Sequence, residues 1–476
     1  MIEASPTSAA APTAPPEVVA APRPGPAELV SPAAWLWLRV GLVLACLSPV
    51  TLLLGLRLAH LRVDPLLGIY GVVVLTTTSV VMFVAFAFYR DPATAPAPAA
   101  GERPLVSVLM ACRDDLDIVE RCVVSVLASS YRPLELIVVD DGSTDGSREL
   151  LIELVEASAG FRLILNDESV GKKRALVRGA ERAHGDIFVF TDSDCVLDRD
   201  AIGQLVRAFQ ADPALGGVSG HARALNGDRN LLTRVQDVWY DGQFGVWKAA
   251  ESVFGAVSCV SGPLAGFRRE AILNYLPAWA EDSFLGQEFR FATDRQLTGY
   301  VLGQMQIGER LKERHRAHPL VRDVDHPPRP WRVCYVRSAQ VWTAVPHTLG
   351  RLFRQQARWK KSFIRNLFFT GTFYWRRGPV PAGLFYSHAL FVMATPVMAA
   401  RHLVYLPLRG AWFLCALYLC GIGVKGSIWA VAYRVQNPGD GRWVYRPLMS
   451  LMSAALFSML LVYSSLTLRS QVWARG

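Results

Sequence analysis

The chain has 476 residues, of which 51% are hydrophobic, and carries a net charge of +10 at pH 7. This length exceeds the roughly 100–200 residues of one domain, and the apolar excess lies at both ends, so we expect a soluble middle region between membrane-embedded ends. The positive charge fits an anionic membrane surface or a phosphorylated substrate. No nucleic-acid-binding module is legible and the basic residues cluster beside apolar stretches, so no nucleic-acid partner is expected.

The N-terminal region divides into a polar tail and two apolar stretches. Residues 1–34 are rich in Ala and Pro and lack the basic start and short apolar run of a signal peptide, which predicts a disordered, uncleaved tail. Residues 35–59 and 65–89 approach or exceed the roughly 20 apolar residues that span a bilayer. They predict two transmembrane helices within 35–90, and the basic residues around the middle region predict that it faces the cytoplasm.

The middle region, residues 100–340, has the pattern of an alternating α/β domain. Short runs rich in Val, Ile and Leu at 105–111, 134–141, 161–167 and 186–194 predict buried strands, with helical stretches between them. This alternation predicts βαβ units, a parallel sheet and a ligand site at the carboxyl ends of its strands. The G-x-G-x-x-G of a dinucleotide-binding sheet is missing after the first run, and so is a P-loop.

Acidic residues stand at two of the predicted strand ends. The second strand ends in Asp140 and Asp141, and the fourth ends with Asp192 and Asp194. Side chains alternate along an extended segment, so both carboxylates of an Asp-x-Asp pair would point the same way and suit Mg²⁺ or Mn²⁺ bridging a diphosphate. Turn and cap aspartates explain either cluster alone, but recurrence at two strand ends favours a site.

The C-terminal region becomes hydrophobic again after about residue 380. Apolar stretches at 383–406, 411–433 and 447–466 predict transmembrane or interfacial segments within 381–467, followed by a short tail at 468–476. The eight cysteines have no paired or metal-like spacing, so a disulfide framework is not expected.

The stretch RQQARWKKSFIRN, residues 354–366, predicts an interfacial helix within 345–375. One stripe of this helix is basic and fits the headgroups of membrane lipids; it consists of Arg354, Arg358, Lys361 and Arg365. Lys360, outside the stripe, is a further candidate for membrane anchoring. The neighbouring face is polar with one aromatic ring, which suits the hydroxyls and C–H face of a sugar: Gln355, Trp359, Ser362 and Asn366.

Five motifs in one order carry a family resemblance. They are VSVLMACRDDLDIVERCVVSVLASSYRPLELIVVDDGSTDGS, GKKRALVRGAERAHGDIFVFTDSD, VSGPLAGFRRE, FATDRQLT and RQQARWKKSF. The chain from about residue 100 to 476 resembles the processive family 2 glycosyltransferases, most closely hyaluronan synthases, with chitooligosaccharide, chitin and cellulose synthases as relatives. The resemblance implies a GT-A type (Rossmann-like) cytoplasmic domain inserted between transmembrane helices of a multi-pass plasma-membrane enzyme, with UDP-sugars and the growing polysaccharide as partners.

The resemblance also implies roles for residues on the donor side. Asp141, with Asp140, would contact the uracil and ribose of a UDP-sugar, and Asp114 would replace the glutamate that the family usually has at the nucleotide. Lys172 would neutralise the diphosphate, unless Lys172 and Lys173 form only a solvated first turn. Asp192 would contact the donor, and Asp192 and Asp194 would hold Mg²⁺ or Mn²⁺.

On the acceptor side, Asp294 matches the position of the general base that takes the proton of the attacking hydroxyl. The acid usually before it is Thr293 here, and pairing with Arg295 or capping of the next helix is the alternative for Asp294. Gly262 and Pro263 would border the acceptor pocket, although an ordinary turn explains them equally well. Gln355 and Trp359 would contact the acceptor sugar, and Arg358 would lie near the diphosphate.

Three functions follow from these readings. The first is an inverting polymerase that makes a polysaccharide, hyaluronan from UDP-GlcNAc and UDP-glucuronate, and exports it; a chitooligosaccharide or chitin synthase that uses UDP-GlcNAc alone is the alternative polymerase. The second is a non-processive polyprenyl-phosphate glycosyltransferase, and the third is a catalytically silent membrane scaffold. The scaffold would tolerate loss of the acids, whereas Asp192, Asp194 and Asp294 are all present.

Overall fold

The computed structural model describes Gly55 and residues 64–95, 103–157, 161–291 and 293–469. The predicted tail at 1–34, the first predicted transmembrane helix apart from Gly55, and residues 470–476 lie outside this part of the chain.

The strands within the described residues are β1 Val106–Cys112, β2 Leu134–Asp141, β3 Phe161–Asn166, β4 Ile187–Asp192, β5 Cys195–Leu197, β6 Leu215–Ala224, β7 Ala265–Arg268, β8 Ser283–Phe284, β9 Gln287–Glu288 and β10 Arg332–Thr343.

The α-helices within the described residues are α1 Pro65–Phe88, α2 Val119–Leu127, α3 Ser147–Ala157, α4 Lys172–Ala180, α5 Ala201–Ala211, α6 Leu231–Gly242, α7 Ala249–Val253, α8 Arg269–Ile272, α9 Leu276–Ala280, α10 Thr293–Arg314, α11 Pro319–Arg322, α12 Leu349–Thr370, α13 Pro379–Ala400, α14 Leu406–Leu408, α15 Trp412–Gln436, α16 Arg446–Met452 and α17 Ser458–Leu466.

The chain divides into two compact units. The first, the α/β unit, contains Asp91–Leu225 and Val257–Ala344. The described residues of the second, the helical unit, are Gly55, 64–90, Asn226–Ala256 and 345–469.

An eight-stranded sheet forms the centre of the α/β unit, in the order β3-β2-β1-β4-β7-β6-β10-β5. The four predicted strands are confirmed, and β1 pairs in parallel with β2 and β4 while β2 pairs in parallel with β3. The prediction of an all-parallel sheet is wrong, because β7 runs antiparallel to β4 and β6, and β5 runs antiparallel to β10, although β6 and β10 are again parallel. The sheet is therefore mixed.

A short connection between β4 and β5 curls this sheet. Only Ser193 and Asp194 separate the two strands, so the three steps from Asp192 to Cys195 reach at most about 11 Å. In a flat sheet β5 would lie four strand spacings from β4, about 19 Å away. The far edge of the sheet must therefore bend back towards the end of β4.

The core of the α/β unit has close backbone contacts near the start of β1. Every residue of β1 is buried, and so are Ile187 to Thr191 of β4. Gly185, just before β4, donates its backbone N–H to Ser107 Oγ at 2.8 Å. A Cβ atom on Gly185 would lie 2.6 Å from Ser107 N and 2.8 Å from Leu105 O, so no larger residue fits without moving the strand.

The helical unit contains the apolar stretches of the described chain. Four helical stretches there are long and apolar enough to cross a membrane, and they span Pro65–Thr94, Pro379–Leu408, Trp412–Gln436 and Gly441–Leu466. The amphipathic helices α6 and α12 belong to the same unit; α6 begins with a capping box of Asn230 and Thr233, and Thr348 caps α12.

A buried ionic cluster joins two of these membrane-capable stretches. Asp64, which caps α1, accepts hydrogen bonds from Arg401 Nη1 at 2.5 Å and contacts His402 Nε2 at 3.2 Å. The His402 ring stacks on Tyr418 of α15 with their centroids 5.0 Å apart. A buried charge needs such partners, so the cluster fixes α1 against the segment after α13.

Replacing Gly185 with alanine is expected to destabilise the α/β unit by about 1–3 kcal/mol, as overpacking of a filled core does. Gly203→Ala in α5 is the matched control, because an added Cβ there meets nothing within 4 Å. Thermal unfolding of the detergent-purified protein should show a lower midpoint for Gly185→Ala only. Equal midpoints for both variants would contradict the close approach of Gly185 to β1.

Candidate active site

The two aspartates that end β2 accept hydrogen bonds from other residues of the α/β unit. Asp140 is fully buried, and its Oδ2 atom accepts a hydrogen bond from Arg148 Nε at 2.9 Å. Asp141 accepts four hydrogen bonds, from the Asn166 side chain at 3.0 Å, Ser169 Oγ at 2.7 Å and the backbone N–H groups of Val170 and Gly171 at 2.8 and 3.0 Å. Asp141 thereby fixes the loop that leads into α4 and Lys172.

Asp114 lies on the loop after β1, close to the β2–α3 turn. Its Oδ1 atom accepts the backbone N–H of Thr144 at 2.8 Å, and its own N–H donates to Ser143 Oγ at 3.1 Å. The residue has a positive φ of 51°, a conformation that costs a non-glycine residue energy and is held by these two bonds. The predicted nucleotide-binding acids therefore end neighbouring parallel strands of one sheet.

The carboxylates of Asp192 and Asp194 lie together as predicted, but for a different reason. The prediction of an extended Asp-x-Asp segment is wrong, because β4 ends at Asp192 and Asp194 lies in the turn before β5. One ligand atom from each of Asp192, Asp194 and Cys195 lies within 4.8 Å of the others. The turn, rather than strand alternation, brings the two carboxylates together.

The donor set suits a hard divalent cation. Burial and the negative charge of Asp192 raise the pKa of Asp194 to about 6, so the two carboxylates repel each other and a cation between them would relieve this repulsion. Burial and the nearby aspartates raise the pKa of Cys195 well above its ordinary value, so its sulfur stays a neutral thiol. The residues therefore fit Mg²⁺ or Mn²⁺ held by two carboxylates with water completing the shell.

Lys172 supplies a cation at the same place. Its ammonium group forms an ion pair with Asp192 Oδ1. Burial alone would lower the pKa of Lys172, but the charges of Asp192, Asp194 and Asp294 outweigh it and raise the pKa. Lys172 thus stays charged, and the prediction of a merely solvated first turn is wrong for this residue.

Gly262 lies between Asp192, one of the two candidate metal ligands, and Asp294. A Cβ atom on Gly262 would lie 3.2 Å from Asp192 Oδ2, so the missing side chain leaves room for that carboxylate. The backbone N–H of Gly262 points at Asp294 Oδ2 over 3.4 Å. Pro263 accepts a hydrogen bond from Thr191 Oγ1 at 2.9 Å through its carbonyl oxygen, which ties this turn to β4.

Asp294 lies in the first turn of α10 and is half-buried. Its Oδ1 atom accepts the backbone N–H of Arg295 at 3.1 Å, and its Oδ2 atom lies 3.6 Å from Cys259 Sγ. In the described part of the chain no ion pair joins Asp294 to the Arg295 side chain. The carboxylate therefore contacts the backbone of the next residue, and it also faces Gly262 beside Asp192.

The helical unit places the residues of the Gln-x-x-Arg-Trp motif on α12. Trp359 is 36% exposed, and its ring lies 5.6 Å from Trp239 and 6.1 Å from Tyr240, measured between centroids. Gln355 and Arg358 are half-buried on the same helix. These three residues share one helix, and their role at a sugar stays a prediction.

Two of the predicted membrane-anchoring cations are not on an exposed face. Lys361 and Arg365 are buried within the helical unit, and burial lowers the pKa of Lys361. The prediction that they anchor the helix to headgroups is wrong, because both side chains lie in the interior of the helical unit. Arg354 is exposed and Lys360 half-exposed, so they remain the better candidates.

Sequence reasoning missed several residues that shape the site. Cys259 lies beside Asp294, the loop from Ser169 to Gly171 holds Asp141, and Trp239 and Tyr240 pack on Trp359. The aromatic pair is visible in the sequence as adjacent Trp and Tyr residues, but nothing in the sequence connects it with Trp359. The others depend on contacts between residues that are far apart in sequence.

Comparison with known proteins agrees with this geometry. Residues 107–276 match the family model described as Glycosyl transferase family 2. An N-acetylglucosaminyltransferase of Azorhizobium caulinodans is 28% identical over 83% of this chain and 93% of the relative. A hyaluronan synthase of Streptococcus pyogenes is 27% identical over 85% of this chain and 90% of the relative.

A solved structure, the mannosyltransferase PcManGT from Pyrobaculum calidifontis in complex with GDP-Man and Mn²⁺, is 17% identical in sequence. It matches with a TM-score of 0.48 over 84% of this chain and 99% of that chain.

The mixed sheet with acids at its strand ends is thus a GT-A-like glycosyltransferase fold. Residues 107–276 therefore form a family 2 glycosyltransferase domain, as the motifs predicted, and the similarity of the chain to hyaluronan synthases and N-acetylglucosaminyltransferases extends over most of its length.

The pKa of Asp194 predicts how metal binding depends on pH. Because that pKa is about 6, the carboxylate gains a proton as the pH falls below 6, and a protonated acid does not ligate Mn²⁺. We expect Mn²⁺ affinity measured by titration calorimetry to be constant above pH 7 and to fall about tenfold per pH unit well below pH 6. Asp194→Asn should weaken binding at every pH, whereas Cys195→Ser should bind like wild type; affinity that stays flat from pH 7 to 5 would contradict a role for Asp194.

Proposed function

We propose that the protein is a membrane-embedded, processive, inverting glycosyltransferase that polymerises UDP-sugars into an extracellular polysaccharide. One observation carries the proposal: Asp192, Gly262 and Asp294 are adjacent, which sets a candidate donor site next to a candidate general base. The membrane-capable stretches and the relatives support a multi-pass enzyme of the plasma membrane, with the α/β unit in the cytoplasm and the helical unit in contact with lipid.

The donor side of the reaction would use the acids and the cation around β2 and β4. Asp114, Asp140 and Asp141 frame the strand ends where the nucleoside of a UDP-sugar would bind, in the usual position for ligands of α/β sheets. A divalent ion held by Asp192 and Asp194 would offset the charge of the diphosphate. Lys172, beside Asp192, would add a positive charge for the departing UDP.

The acceptor side would use Asp294 as the base. Its carboxylate would take the proton of the acceptor hydroxyl while the hydroxyl oxygen attacks the anomeric carbon, and the bond from that carbon to the diphosphate oxygen breaks on the opposite face. One sugar is added with inversion and UDP leaves. Gly262 and Pro263 would border the acceptor, and the motif resemblance assigns Gln355 and Trp359 to the acceptor sugar and Arg358 to the diphosphate.

The polymer we propose is hyaluronan, made from UDP-GlcNAc and UDP-glucuronate and exported as it grows. The Lys-Ser-Phe sequence after Trp359 and the C-terminal Trp473 and Arg475 favour it. A chitooligosaccharide-type synthase is the second candidate, supported by an N-acetylglucosaminyltransferase relative that is 28% identical, against 27% for the hyaluronan synthase.

Donor dependence distinguishes these two polymers. Membranes that contain the protein, given Mg²⁺ or Mn²⁺, should make no polymer from either UDP-GlcNAc or UDP-glucuronate alone and a long polymer from both. The product should be digested by hyaluronidase and resist chitinase. Polymer from UDP-GlcNAc alone would overturn hyaluronan and favour the second candidate, and sugar transferred only to a lipid phosphate would favour a non-processive enzyme.

Asp294→Asn should abolish polymer formation, because an amide does not accept the proton, and losses of general-base catalysis are about 10²–10⁴-fold. UDP affinity, measured by calorimetry, should stay near that of wild type, since the amide preserves shape and leaves the strand-end acids intact. Asp323→Asn, an exposed acid of the same unit, is the control and should polymerise normally. Near-normal turnover by Asp294→Asn would show that another group is the base.

A further inference from the structure

Three consecutive cations in the first turn of α4 have three different partners. Lys172 pairs with Asp192. Arg174 Nη2 lies 3.1 Å from Glu288 Oε1, with the side chains 44% and 35% exposed. The side chain of Lys173 instead faces the interior of the α/β unit and is 6% exposed. A buried ammonium group is costly unless it is paired and hydrogen-bonded, so the partners of Lys173 identify what it holds.

Those partners belong to the segment that carries the candidate base. Lys173 Nζ donates to the carbonyl oxygen of Phe289 at 2.9 Å and to Gln296 Oε1 at 2.7 Å, and lies 3.5 Å from Asp282 Oδ2. Gln296 is fully buried and stands two residues after Asp294 in the first turn of α10. Lys173 therefore joins α4 directly to the turn that presents Asp294.

The other end of the Gln296 amide is fixed as well. Its Nε2 donates to the Tyr300 hydroxyl at 2.7 Å, and that hydroxyl donates to the Ala278 carbonyl at 3.3 Å. The Trp279 indole N–H, in turn, donates to the Thr293 carbonyl at 2.7 Å. The start of α10 is thus held from α4 on one side and from α9 on the other.

The hairpin of β8 and β9 completes the connection. The Phe289 N–H donates to the Asp282 carbonyl at 2.8 Å and closes the hairpin at the end that Lys173 contacts. The Phe289 ring packs against Phe284 and Phe291. Because Lys173 contacts both closing residues and Gln296, one ammonium group fixes the hairpin and the helix after it.

We propose that Lys173 is a positioning residue, which sets the Asp294 carboxylate relative to the donor site by tying α4 to Gln296. This inference rests on the proposed role of Asp294 as the base. Since Lys172 is the next residue on the same helix, the cation beside Asp192 and the tether to the base share one rigid turn. A general base must lie within hydrogen-bond reach of its proton, and a shift of about 1 Å costs about 10²-fold in rate.

Gln296→Met is the first test, because it removes the tether while leaving Lys173 paired with Asp282 and Phe289. We expect kcat for sugar transfer to fall about 10-fold or more. The KM for the donor, UDP affinity and the thermal midpoint should stay close to those of wild type. Lys173→Met should show a similar loss, and the double variant should be no slower than Lys173→Met alone, because both changes break one connection.

Arg174→Gln is the matched control, since it removes a neighbouring cation that contacts the same hairpin at the surface, and it should keep a kcat within about twofold of wild type. Asp294→Asn is measured in parallel. If wild type transfers no sugar, or Asp294→Asn keeps its turnover, the proposed function itself fails.

If Asp294→Asn is inactive, the proposal for Lys173 is decided by the Gln296→Met variant, even where Lys173→Met does not fold. A wild-type kcat for Gln296→Met overturns it. A loss of kcat accompanied by equal losses of UDP affinity and thermal stability also overturns it, because that result describes only a structural contact.

Discussion

The site depends on the two-residue connection between β4 and β5. Two carboxylates at close distance repel each other, and a flexible loop would let them separate. Here Asp192 is fixed by the ladder of β4, and Asp194 is fixed by the antiparallel pairing of β5 with β10 that begins one residue later. Ser193 between them is held too, because its hydroxyl bonds to Asp115 and its carbonyl accepts the Cys122 thiol at 2.9 Å. The backbone thus imposes a concentration of negative charge that side chains alone would avoid.

This charge explains the basic residues around it. The pKa of Asp194 rises because Asp192 is near and the site is partly dry, while the same acids keep Lys172 protonated. While both acids are ionised, a cation there offsets their charge, and the charges of a lysine, a divalent ion and a diphosphate can balance in several combinations. Preorganised charges of this kind act without reorganisation when a reaction develops charge nearby.

The sequence allowed the parallel half of the sheet to be predicted because those strands are short, continuous apolar runs separated by helical stretches. Strands β5, β6 and β7 were missed for a physical reason. β6 contains Gly216, Gly217 and Gly220 where neighbouring side chains approach closely, and such a glycine-rich strand has little hydrophobic pattern. β5 and β7 have three and four residues, too few for periodicity to show. The curl of the sheet was therefore invisible, although it decides where Asp194 lies.

Of the candidate site residues in the α/β unit, residue type and spacing pointed to the aspartates at the ends of β2 and β4, and the family resemblance added Asp114, Lys172 and Asp294; neither showed what holds these side chains in place. Asp141 has a recognisable position in a motif, yet its four hydrogen bonds come from the end of β3 and the loop after it, 25 to 30 residues later. A solvated first turn was an alternative for Lys173 because the sequence alone does not show which side chains of this helix face the interior. On α4, residues one position apart point about 100° away from each other. This angle lets neighbouring lysines of one short motif serve different sides of the helix, one facing Asp192 and the other the start of α10.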